Sequence, residues 1–133
     1  MTMFMRSMGG IPDAIPFITT TENKENTRVA VEEWQHGPVV PSNDPTANKP
    51  YWMALARAFQ VDEREARRHR CSNCTHYDNS SMKQALMERI PQNAGDVGAG
   101  YRGYCKKFDF ICHDLRSCQA QQERDFDEFH HAS

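Results

Sequence analysis

The chain has 133 residues, a formal net charge of -2, 38% hydrophobic residues and a mean hydropathy of -0.79. Such a length and polarity allow one small domain whose core is too slight to stand without a staple, and the weakly acidic balance disfavours wholesale nucleic-acid binding. No run approaches the roughly 18 apolar residues of a membrane span, and Met1–Met8 lacks the charged and apolar regions of a secretory signal, so the reading is an intracellular chain with no membrane partner.

Residues 1–48 hold five of the seven prolines and polar runs such as Thr19–Thr27, the composition of an extended N-terminal arm and not of a packed domain. Two apolar islands interrupt it, Ile11–Ile18 and Arg28–Trp34, which read as docking segments or edge strands. Such an arm is expected to dock on partner subunits, because so polar a stretch cannot bury its islands alone.

From residue 49 to 133 the pattern is that of a domain. Pro50 at a first-turn position and Trp52, Leu55, Ala56 and Phe59 at helical spacing predict a helix over about 50–59. Asp62 with Glu65 three residues on is a capping pair, predicting a short helix over 63–69. Ser81 with Gln84 repeats the signature, and Met82, Leu86 and Ile90 form one stripe of a helix over 82–90 that Pro91 ends.

The segment 93–103 reads as a glycine-rich loop. Without a Gly-Lys-Ser/Thr it is no phosphate-binding P-loop, and a loop letting backbone approach the cysteines fits better. A strand or hairpin follows within 104–118, then a short C-terminal helix from Gln119 to His130. The predicted fold class is a small α-rich domain with few short strands, metal-stapled and preceded by the arm.

Five cysteines, all in the second half, carry the chemistry: Cys71-x2-Cys74, then Cys105, Cys112 and Cys118. A Cys-x-x-Cys turn aims two thiolates at one point, and two more from a distant segment complete the fourfold ligation that zinc or an iron–sulfur cluster needs. An odd count in a reducing compartment argues for thiolate ligands over disulfides. Tyr77, Tyr104, Phe108 and Phe110 lie within a few residues of a cysteine and are candidates for a dry jacket around a cofactor, though ordinary packing explains them equally. His76 and His113 could each replace a thiolate around zinc. Arg64, Arg67, Arg68, His69 and Arg70, entering Cys71, either form a solvated helix face or offset a negatively charged centre. With no Ser/His/Asp set and no His-Glu-x-x-His, the chain does not read as an enzyme.

The words Arg70-Cys71-Ser72-Asn73-Cys74-Thr75-His76-Tyr77, Gly103-Tyr104-Cys105 and Arg116-Ser117-Cys118 resemble the cluster-binding region of high-potential iron–sulfur proteins. That resemblance implies one [4Fe-4S] cluster on Cys71, Cys74, Cys105 and Cys118, with Tyr77 as the aromatic after the first pair and Cys112 as a buried, unligated thiol. A broader resemblance begins at Lys49-Pro50-Tyr51-Trp52 and runs through Phe110-x-Cys112-x3-Arg116-x-Cys118. It is to small proteins of tailed bacteriophages, and implies a non-enzymatic structural or accessory protein of the virion (capsid or tail), assembled in the host cytoplasm and contacting other virion subunits. Structural zinc stays open as the alternative metal, and a soluble high-potential electron carrier as the alternative function.

Overall fold

The computed structural model describes residues 15–92, 96 and 98–122. Four helices and a three-stranded antiparallel sheet make a small mixed α/β domain: α1 (Thr20–Trp34), α2 (Lys49–Phe59), α3 (Glu63–Ala66), β1 (Tyr77–Asp78), α4 (Ser81–Met87), β2 (Arg102–Cys105) and β3 (Phe110–His113). Among the described residues no helix is long and apolar enough to cross a membrane.

The extended reading of Arg28–Trp34 is overturned, since these residues are helical and Ala30 is completely buried. Helix α1 starts at a full capping box, in which the Thr19 hydroxyl accepts from Glu22 N while Glu22 accepts from Thr19 N, and Arg28 pairs with Glu25 and Glu32 along its outer face. It is held to the domain by polar groups. The Asn23 Oδ1 accepts from Ile111 N at 2.7 Å and the Asn26 Nδ2 donates to the Asp109 carbonyl at 2.7 Å, so two amides occupy backbone groups that β3 and its turn would otherwise leave unpaired. Beyond the helix, Gly37 and Ser117 exchange both backbone hydrogen bonds (3.0 and 2.7 Å), and Gln119 N donates to Trp34 O. The described part of the supposed arm is therefore built into the domain, and the first fourteen residues, with half of the Ile11–Ile18 island, lie outside the described residues.

Helix α2 follows the expected pattern, with Trp52, Leu55 and Ala56 buried and Phe59 packed beside them. Asp62 caps α3 through Glu65 N at 2.7 Å, as the spacing predicts, but the helix closes at Ala66 and not at 69. The third expected helix begins one residue earlier, because Ser80 and not Ser81 is its cap, accepting from Lys83 N. It ends at Met87, short of 90. Its buried side chains are Leu86 and Met87, with Ile90 buried just beyond, whereas Met82 faces solvent at 49% exposure. The hairpin falls at β2–β3, closed by a four-residue turn in which Asp109 N donates to Cys105 O. Residues 119–122 form a turn and open chain, so the helix expected from Gln119 does not begin there; its remainder lies outside the described residues.

Alternation along the sheet divides its two faces. Gly103 and Cys105 of β2 pair with Cys112 and Phe110 of β3, while Arg102 and Tyr104 pair with His113 and Ile111. One face carries cysteines. The other carries Tyr104 and Ile111, packed with Met87 and Ile90.

Candidate metal centre

All five cysteines are buried, free thiols lining one cavity of about 20 Å³. Four segments supply them. Cys71 and Cys74 lie on and just after a single 3-10 turn, Cys71–Asn73, with Arg70 N held by the Asn73 side chain. Cys105 ends β2 and Cys112 sits within β3. Cys118 comes from the segment that runs beside the first pair, where Cys71 N donates to Arg116 O at 2.6 Å and Thr75 N to Gln122 O at 2.7 Å.

The sulfur atoms are not equivalent. Cys74 Sγ accepts from His76 N and Gln122 N, each at 3.5 Å; Cys105 receives the N–H groups of Phe108 and Lys107, and Cys118 that of Ala120. Backbone N–H groups aimed at sulfur favour thiolate. Burial acts the other way and is larger, pushing Cys105 up to about 11 and Cys118 up to about 12. Cys112 is opposite in character. Its thiol donates to Gly103 O at 3.4 Å, and burial, reinforced by a hydrogen bond with Cys71, raises its pKa well above the ordinary value.

Of the aromatic residues expected at the site, Tyr77, Phe108 and Phe110 line the cavity. Tyr104 does not, because strand alternation sends it to the opposite face from Cys105, where it meets Phe17 at 5.3 Å between ring centres. His76 lines the cavity, while His113 lies on the other face. The basic segment mostly serves packing: Arg67 and Arg70 lie over the Trp52 ring, Arg67 pairs with Glu63 and Arg68 with Glu65. The acidic residues Glu123, Asp125, Asp127 and Glu128 near the C-terminus lie outside the described residues.

Sequence reasoning missed His36, which lines the cavity with its ring edge-on to Phe110 at 4.9 Å. A single histidine between Gln35 and Gly37 carries no spacing signal, so only the tertiary fold reveals it. Glycine at 103 is required by Tyr77: a Cβ there would lie 2.1 Å from the tyrosine ring.

The donor chemistry fits a soft-metal centre, with thiols, few competing polar groups and an aromatic wall. Among the described residues, no three histidine, cysteine or carboxylate donors meet as the ligands of a single ion would. The chain matches no protein-family model, no curated protein and no solved structure in the comparisons made with each.

Proposed function

We propose that Cys71, Cys74, Cys105 and Cys118 hold a [4Fe-4S] cluster whose role is to cross-link a small non-enzymatic domain, with Cys112 kept as an unligated thiol. The observation that carries this reading is the polarity of the hydrogen bonds. The sulfurs of Cys74, Cys105 and Cys118 receive backbone N–H groups, whereas Cys112 gives its proton to Gly103 O. Cys71 joins them as the first member of the Cys71-x2-Cys74 turn. The sequence resemblance is what favours a cluster over one zinc ion. The setting proposed for this domain is a bacteriophage virion, on the strength of the sequence resemblance, with other virion proteins as its partners.

Anaerobic purification tests the cluster. A brown protein absorbing near ~400 nm, with iron and acid-labile sulfide in equal amounts, is expected. A colourless protein with stoichiometric zinc would overturn it and leave the four ligands in place.

A soluble electron carrier is the second reading, and one observation favours it. Helix α1 lies against β3 instead of standing clear as a docking arm. A reversible one-electron wave from a monomeric protein that fails to join any particle would select the carrier.

A further inference from the structure

A second cavity, of about 290 Å³, opens on the face of β3 opposite the cysteines and shares only His36 with them. Its charged lining is Lys24, Arg102, Arg116 and Asp96. Arg116 is already committed, since its Nη1 pairs with Asp96 Oδ1 at 2.7 Å while Nε and Nη2 donate to Pro38 O and Val39 O. Arg102 gives Nη1 to Ile90 O at 2.8 Å and, like Lys24, faces no carboxylate within ion-pair distance among the described residues. Among the described residues, these two cations have no counter-charge.

Two buried imidazoles lie on the same wall. His113 is 3% exposed, and its Nδ1 is 3.2 Å from Arg116 Nη1. A guanidinium only donates, so Nδ1 accepts and Nε2 carries the proton. That Nε2 is buried and has no hydrogen-bond partner, and neither has the buried Nδ1 of His36, a residue 8% exposed. With both atoms sealed from solvent, the two rings serve as the wall of the cavity and not as its donors. The rest of the wall is largely apolar, including Val31, Ile90 and Ile111.

We propose that this cavity binds a small phosphate monoester, its oxyanion taken by Lys24 and Arg102 and its organic substituent by the apolar wall. Two positive charges with no counter-charge among the described residues match a doubly negative phosphate head better than a singly charged carboxylate. The volume, at the small end of ligand pockets, leaves room for a substituent beyond the phosphate.

Calorimetric titration of the intact chain with phenyl phosphate tests this, with benzoate and inorganic phosphate as comparison probes. Saturable one-to-one binding of phenyl phosphate is expected, weakened about tenfold by Lys24→Gln, the loss of one charged contact, and at least as much by Arg102→Gln. Lys24 is exposed, so its variant keeps the fold, which an unchanged circular dichroism spectrum verifies. No saturation at millimolar phenyl phosphate, or affinity unmoved in both variants, overturns the site. Benzoate binding as tightly removes the phosphate, and inorganic phosphate binding as tightly removes the organic substituent.

Discussion

The Cys112 thiol donates to the carbonyl oxygen of Gly103 at 3.4 Å, directly across the β2–β3 pair. A proton held there is one that a metal-bound thiolate would have lost, so this contact separates one cysteine from the other four.

Cys112→Ala should therefore keep the metal and lose only a packing contribution of roughly 1–2 kcal/mol. Cys71→Ala, Cys74→Ala, Cys105→Ala and Cys118→Ala should each abolish metal binding and folding together, since ligation free energy is folding free energy in so small a core. Metal analysis beside thermal unfolding checks both. Metal lost from the Cys112 variant and retained by the Cys118 variant would reverse the assignment.

Gly103→Ala places a methyl group inside the Tyr77 ring, 2.1 Å from Cε1. Tyr77 must then leave its place at the cavity. Overpacking of this kind costs about 1–3 kcal/mol, and the denaturant midpoint should fall accordingly. Gly98→Ala is the control, because a Cβ there meets nothing within 4 Å.

Asn23→Ala removes the acceptor of Ile111 N, a loss of about 1–2 kcal/mol, and frees one attachment of α1. Trypsin should cut the native chain slowly after Lys24 and Arg28 and cut this variant faster. Equal rates in both would mean that α1 is not held by β3.

Acid should destabilise the fold through two histidines. Burial above all, with Arg116 adding to it and Asp96 opposing, holds His36 at about 3 and His113 at about 4, against an ordinary value of 6.5. Unfolded, each ring takes up a proton that the folded one refuses. Stability is thus whole above about pH 6.5 and declines below it, by up to about 1.4 kcal/mol per pH unit for each ring until the folded value is reached. Denaturant midpoints at pH 7, 6 and 5 should fall more steeply in the native chain than in His113→Gln.

Helix α2 was legible because Trp52, Leu55 and Ala56 repeat at helical spacing and are buried together. The cysteine pattern likewise announced a shared cavity, since type and spacing carry that chemistry locally. Helix α1 was not read. Its one fully buried residue is Ala30, so no apolar stripe marks it, although Thr19 and Glu22 stood at capping-box spacing in the sequence. Tyr104 was misassigned for another reason: nearness in sequence to Cys105 is distance in space when strand neighbours point to opposite faces. The shift from Ser81 to Ser80 is the ambiguity of two adjacent serines, either of which can cap.

Asn23 has a consequence for assembly. A sheet recruits another chain by offering unpaired backbone at an edge, and here the outer edge at β3 has its Ile111 N–H engaged by the helix of its own chain. The opposite edge, β1, is only two residues long. Neither margin offers a template for strand addition, so the domain would have to meet a neighbour through side chains on its helices and loops. A hairpin that carries Tyr104, Phe108 and Phe110 is in this way kept from growing into a continuous sheet.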